Sequence, residues 1–179
     1  MANEILQKVG TWLVLADATD FDNNPAADTD QIDLTSLADG AARQSAKIDF
    51  TALRAAAFNV ACSFEVDVAP VSGTTIDIYF APSISATAGN ENPGGIVGAD
   101  GAYTGTAGDS LADSLKQLDF IGSVICSADA DPVMQNQSFT YSPHARYGTL
   151  VVFNQSGQAF VADAAQMYVI FEPIIDEVQ

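Results

Sequence analysis

Residues 142–146 are the part of the chain where a nucleophile and a base stand close together. Ser142 lies two positions before His144, which is the only histidine of the chain. A serine beside a histidine is the pairing used in nucleophilic hydrolases. However, "NQSGQ" around Ser156 lacks the first glycine of a Gly-x-Ser-x-Gly elbow, and no helical pattern follows it. We therefore predict scaffold here: a turn at His144, a buried central strand over 147–153 and a hairpin turn at 154–157.

Residues 17–33, which contain six aspartates, are the candidate metal-binding segment of the sequence. Carboxylate oxygens are the ligands that calcium prefers, and Asp20 and Asp22 begin a suitable alternation. The glycine that a calcium loop needs is replaced by Pro25, and its final glutamate by Gln31. The pattern favours a solvated acidic turn, and we predict neither a metal nor another cofactor.

Composition limits the partners. The 179 residues include 23 acidic and 6 basic side chains, for a net charge of −17. Such a chain repels phosphate groups, which argues against nucleic acid and against anionic membranes as partners. Charged residues make up 16%, below the roughly 25% typical of soluble domains, so we expect part of the surface to contact other subunits. No pair among the 23 acids is singled out for catalysis, and we predict a non-enzyme.

The fold class follows from the alternation of apolar and polar residues, which has a period of two. Residues 58–68 place apolar side chains on one face and polar ones on the other, as in a strand between a core and water. Similar patterns elsewhere give about eight strands, and only residues 109–118 have a helical pattern, with Asp109 or Ser110 as its N-cap. Cys62 and Cys126 lie in apolar runs, as reduced core thiols do. We predict a single all-β domain over 1–179, a jelly-roll-like sandwich, because the strands are unevenly spaced and interrupted by a long insertion.

That insertion is the glycine-rich segment 83–109, which has seven glycines from Gly89 to Gly108. Loops of this length are often functional. We consider two interpretations: a mobile surface loop, or an arm whose Ile96, Val97 and Tyr103 contact a neighbouring subunit. On the second interpretation, deleting residues 90–106 is expected to leave the fold intact but to weaken assembly.

A second candidate contact is a basic stripe. Arg43, Lys47 and Arg54 are half of the six cations, and Arg43 and Lys47 are spaced to share one strand face. They would either bind an acidic patch of a partner or pair with nearby aspartates such as Asp39 and Asp49.

The order of these segments resembles a class of viral proteins. "LTSLADGAARQSAKIDF", "FEVDVAPVSGTTIDIYFAPS", the glycine-rich loop and "RYGTLVVFNQSGQAF" resemble the small β-sandwich virion proteins of tailed bacteriophages, above all capsid decoration (cement) proteins. The resemblance implies a homotrimer on the capsid exterior that binds the major capsid protein across subunits. It also implies assembly in a host cytoplasm, which suits a sequence whose first residues show no secretory signal.

Another function stays open from the residues alone. A carbohydrate- or receptor-binding module would use tyrosine rings as platforms, and Tyr79, Tyr103, Tyr141 and Tyr147 are the candidates. The last residues, "EPIIDEVQ", contain two isoleucines that need a burial site, so the termini are further candidate contacts.

Overall fold

The computed structural model describes residues 5–17, 30–50, 55–128, 133–163 and 165–178. These residues form two sheets and one short helix, which confirms the predicted all-β sandwich. The strands are β1 Ile5–Val9, β2 Leu13–Ala16, β3 Asp30–Gln31, β4 Ala42–Asp49, β5 Ala57–Val66, β6 Thr75–Ser83, β7 Gly101–Tyr103, β8 Asp119–Ile125, β9 Val133–Tyr141, β10 Tyr147–Gln155 and β11 Tyr168–Val178. Helix α1 spans Leu111–Leu115.

The chain crosses repeatedly between the two sheets. Sheet A has the order β3-β2-β11-β5-β9, with β1 attached to β11, and sheet B has the order β7-β4-β10-β6-β8. Leaving aside the short β1, β3 and β7, the first of the eight remaining strands pairs with the last, the second with the seventh, the third with the sixth and the fourth with the fifth. This is the pairing of one long hairpin rolled into two sheets.

Alternation in the sequence builds the core between the sheets. The predicted apolar face of β5 is buried there together with the inner face of β6. Phe50, Phe58, Phe80 and Phe171 pack with ring centroids 4.9–6.5 Å apart. Gly148 of β10 leaves room for the Phe80 ring, which occupies the place of a side chain there.

Strand β10 is central in sheet B, as predicted, because it pairs with β4 on one side and β6 on the other. The predicted hairpin after it is wrong. Gly157, at φ +80°, does turn the chain, but Phe160 then bridges to Val66 of sheet A. Both edges of β10 are already occupied, so the chain crosses to the other sheet instead of returning beside β10.

Helix α1 begins where the sequence predicted it. The Ser110 hydroxyl is the N-cap and accepts a hydrogen bond from the Asp113 backbone N–H at 3.1 Å. Leu115 and Leu118 are buried beneath the helix, against the outer face of sheet B.

Candidate functional site

The connection between β6 and β8 folds back over the outer face of sheet B. We call residues 84–118, which include β7 and α1, the cap. The outer face contributes Ala42, Tyr79, Ala81, Val151 and Phe153, and the cap contributes Ile96, Tyr103, Leu111, Leu115 and Leu118. The glycine-rich insertion is therefore the cover of a second apolar core within the same chain.

The glycines of the cap allow close packing. Gly95 and Gly105 both have positive φ, and a Cβ on Gly95 would lie 2.5 Å from the Gly105 carbonyl carbon. Gly105 in turn lies against Ser114 of α1, and Gly98 lies against the Ala88 backbone. Larger residues would separate these segments, so the glycine content here reflects tight contacts.

The three predicted loop contacts have different environments. Ile96 is 5% exposed and Tyr103 is 2% exposed, and the Tyr103 hydroxyl donates a 2.6 Å hydrogen bond to the Gly94 carbonyl. Burial raises the pKa of Tyr103. Val97 is 54% exposed, so it alone of the three keeps much surface for a partner. Deleting 90–106 would uncover the apolar face beneath, and the packing therefore contradicts the expectation that the fold would stay intact.

Arg43 forms an ion pair with a carboxylate of the cap. Its guanidinium makes two 2.8 Å hydrogen bonds to the Asp100 carboxylate and lies 3.7 Å from an Asp33 oxygen. The hydrogen bond to Asp100 raises the pKa of Arg43. The Asp100 carboxylate also accepts the Asp33 backbone N–H at 3.2 Å, so this pair fastens the cap to the segment before β4.

Lys47 fastens the other side of the cap. Its ammonium donates to the Ser83 hydroxyl and to the backbone carbonyls of residues 85, 87 and 90, at 2.9–3.1 Å. Burial lowers the pKa of Lys47. Arg54, the third member of the predicted stripe, lies outside the described residues.

Arg43 and Lys47 do not share a face, contrary to the prediction. Leu150 of β10 stands opposite both Ser45 and Ala46, which is a β-bulge in β4. The extra residue shifts the alternation. As a result Ala42 belongs to the outer core under the cap while Ile48, six positions later, belongs to the inner core.

Lys116 and Arg146 are also bound within the chain. Lys116 pairs with Asp113 at 2.7 Å, and Arg146 pairs with Asp49 at 3.1 Å and lies over the Tyr147 ring. At least four of the six cations, all within the part of the chain that the structure describes, are thus bound to oxygens of their own chain. The excess of carboxylates over cations gives the surface a negative potential.

The histidine segment shows no catalytic geometry. His144 is 66% exposed, and its Nδ1 lies 3.4 Å from an Asp119 oxygen that also accepts the Tyr141 hydroxyl at 2.9 Å. Within the described residues, no hydrogen bond joins Ser142 to His144, and no three His, Cys, Asp or Glu side chains are grouped to hold a metal. The acidic segment 17–33 lies mostly outside those residues, since 18–29 are not among them. In the same described parts, no helix is long and apolar enough to span a membrane.

The tyrosines proposed as sugar platforms divide into two pairs. Tyr103 and Tyr141 are buried, and Tyr79 and Tyr147 are half-buried. Tyr79 lines an apolar groove of about 500 Å³ between α1 and β8, together with Leu115, Phe120 and Phe153.

A polar groove of about 490 Å³ lies on the outer face of sheet A, across β5, β9 and β11. We call it the sheet A groove. It is lined by Ala61, Cys62, Ser63, Met134, Asn136, Gln137, Ser138, Gln166 and Tyr168. The alternation in β5 predicted the small and polar residues that form the floor of this groove. The side formed by Gln166 and Tyr168 was not predictable, because β11 and the residues just before it are distant in the sequence.

The two chain ends form a third feature. β11 pairs with β5 only as far as Ile174, and from Ile174 to Val178 it pairs with β1. We call this pair of segments, Ile5–Val9 and 174–178, the terminal ribbon. Val9 is 55% exposed there, and Ile174 and Ile175 are half-buried. The two isoleucines thus keep surface that this chain does not cover.

Comparison of the chain with protein-family models, with curated proteins and with solved structures found no match.

Proposed function

We propose that this protein is a non-enzymatic structural protein of a tailed-bacteriophage virion, a capsid decoration protein that assembles as a homotrimer. It would bind the major capsid protein across neighbouring subunits on the capsid exterior and stabilise the head. The capsid assignment comes from the sequence resemblance, and the structure adds support for assembly through exposed apolar elements.

The fold is compatible with the predicted jelly roll. The first-to-last pairing of the eight strands other than β1, β3 and β7 supports a rolled hairpin, and jelly rolls are common in viral capsid proteins and in lectins. Fold alone does not assign function, so the proposal depends on the surfaces.

The observation that carries the proposal is the terminal ribbon. β1 extends the sheet through β11 alone, and the ribbon leaves Val9, Ile174 and Ile175 incompletely buried. Unpaired strand edges with apolar side chains readily pair with another chain. The ribbon would therefore pack against neighbouring copies in the trimer.

The charge pattern indicates the chemistry of the capsid contact. With 23 acidic and 6 basic side chains, at least four of the latter paired within the chain, the surface has few positive groups to offer. A basic patch on the capsid protein would complement this surface, and exposed apolar residues such as Val97 would add to the contact.

Light scattering over a series of salt concentrations tests the assembly. We expect a stable mass near three times 18.7 kDa for the parent protein. Val9→Asp should dissociate it, because a charge placed on the ribbon would have to be desolvated. Val68→Asp is the matched control: Val68 is 56% exposed and lies just beyond the opposite end of β5 from the ribbon. A monomer at every salt concentration would refute the trimer.

Binding to phage heads that lack this protein tests the decoration role separately. We expect it to sediment with such heads in a saturable manner and to raise their resistance to heat. A trimer that does not bind them would refute the capsid assignment while leaving the assembly intact.

A further inference from the structure

We propose that the sheet A groove is a binding site for a neutral saccharide. This inference does not depend on the capsid role, since it concerns a different surface. The volume of about 490 Å³ is within the range of small-molecule sites, roughly 300–1,000 Å³.

The shape of the groove follows from the sheet register. Ser63 of β5 stands between Tyr168 of β11 and Asn136 of β9, and in the next row Ala61 stands beside Ser138. The small side chains of β5 form a floor, and the larger ones of the flanking strands form walls. Neighbouring strands are about 4.8 Å apart, so the backbones of β9 and β11 are separated by roughly 10 Å. That spacing leaves room for one sugar ring between their side chains.

The polar groups of the groove are available to a ligand. Ser63, Asn136, Ser138 and Gln166 make no side-chain hydrogen bond to any other described residue, and Ser63 is only 2% exposed. A hydroxyl and a primary amide each donate and accept, as the hydroxyl groups of a sugar do. A buried hydroxyl that lines a groove and has no protein partner gains most from a ligand that hydrogen-bonds to it.

The lining also selects against charged ligands. None of the lining residues is charged, although the chain has 23 acidic residues. A phosphorylated, sulfated or carboxylated ligand would meet the negative potential of the chain without a cation to bind it. The Tyr168 ring adds an aromatic wall against which the C–H face of a sugar can pack. Together these features favour an uncharged, hydroxyl-rich ligand.

The experiment is a glycan array printed with neutral and acidic glycans and probed with the purified full chain, with a lectin of known specificity as the positive control. We expect signals on neutral glycans and none on acidic ones. The strongest neutral glycan is then titrated by calorimetry. Asn136→Ala should weaken its affinity roughly 3- to 10-fold, as expected for one hydrogen bond. Ala61→Leu should fill the floor and weaken it at least about tenfold.

Thr140→Ala is the matched control for these variants. Thr140 is exposed on the same strand and face as Asn136 but lies outside the lining, so its removal should leave affinity unchanged. Melting temperatures close to that of the parent show that each variant is folded, and Gln166→Ala replaces Ala61→Leu if that variant is not. An array without any neutral signal, signals on acidic glycans only, or unchanged affinity in both groove variants would overturn the proposal. A monomer that binds glycans would refute only the assembly.

Discussion

The outer face of sheet B and the β5–β9 side of the outer face of sheet A are treated in opposite ways, whereas the β2–β11 side of sheet A has a buried apolar cluster of its own, formed by Val14, Ala16 and Ile170. The outer face of sheet B is apolar at Tyr79, Ala81, Val151 and Phe153, and the cap covers it. On sheet A the β5–β9 side of the outer face has Asn59, Ala61, Ser63, Asn136 and Ser138, and it stays open as a groove. A sheet face that exposes apolar groups needs a cover, whereas a face of small polar groups does not. The chain therefore supplies its own cover for one face and leaves part of the other free for a ligand.

The same contrast explains the cations. Arg43 and Lys47 resemble a docking stripe in the sequence, yet each is bound to oxygens at the margin of the cap. The groove on sheet A has no charged residue in its lining. Charged side chains thus fasten the cap over sheet B, whereas none lines the sheet A groove.

The largest expected effect tests whether the cap packs tightly. Gly105→Ala should reduce the free energy of unfolding by about 3 kcal/mol, because φ is +78° and the new Cβ would lie 2.7 Å from the Ser114 Cβ. Gly108→Ala is the control, since φ is +96° with nothing within 4 Å, and it should cost only about 1–2 kcal/mol. Urea unfolding measures both. Equal losses would mean that the cap is loosely packed.

A matched pair of alanines compares the two faces directly. Ala81 on the outer face of sheet B is fully buried under the cap, so Ala81→Leu should cost about 1–3 kcal/mol of stability through overpacking. Ala61 is half-buried in the floor of the sheet A groove, so Ala61→Leu should change stability by less than about 0.5 kcal/mol. Thermal or urea unfolding gives both values. If Ala61→Leu is as damaging as Ala81→Leu, the groove is not open.

A further, pH-dependent effect concerns Tyr103, which anchors the cap. Tyr103→Phe should cost about 1–2 kcal/mol at pH 7, because the buried Gly94 carbonyl loses its donor. The pKa of Tyr103 is raised in the folded protein, so its neutral hydroxyl contributes fully below the unfolded pKa of about 10. That contribution is lost as pH rises above 10 through the folded pKa.

The stability difference between parent and Tyr103→Phe should therefore shrink above pH 10. Urea unfolding of both proteins at pH 7, 9 and 11 measures it, and the other tyrosines cancel because both proteins contain them. A difference that stays constant across this range would contradict the assignment.

Two strands and the helix show which elements of the fold can be predicted from the sequence. The alternation of residues 58–68 predicts a strand with one face in the core, and β5 has that pattern of burial as far as Val66. Val68, which the pattern placed on the same face, lies beyond the end of the strand and is 56% exposed. The apolar run at 147–153 predicts a strand covered on both faces, and β10 is central in its sheet with the cap above it. The helix and its Ser110 cap were also predictable, because a cap is a local hydrogen bond.

The candidate sites were harder to predict because they depend on contacts between distant residues. The bulge that separates Arg43 from Lys47 follows from the pairing of β4 with β10, about a hundred residues later. Ser63, Asn136 and Tyr168 meet only through the register of three strands. Nothing in the spacing of these residues along the chain indicates a shared groove.

The sequence by itself determined the fold class, the strands that need burial on one face or on both, and the negative surface charge, since these follow from side-chain type and local periodicity. The tertiary structure decided what covers each apolar face. The glycine-rich segment has the composition of a flexible loop, and only the packing of its Ile96 and Tyr103 on the outer face of sheet B makes it a cap. The physical reason is that periodicity reports whether a face needs a partner, while the identity of that partner depends on which distant segments the strand pairings bring over it.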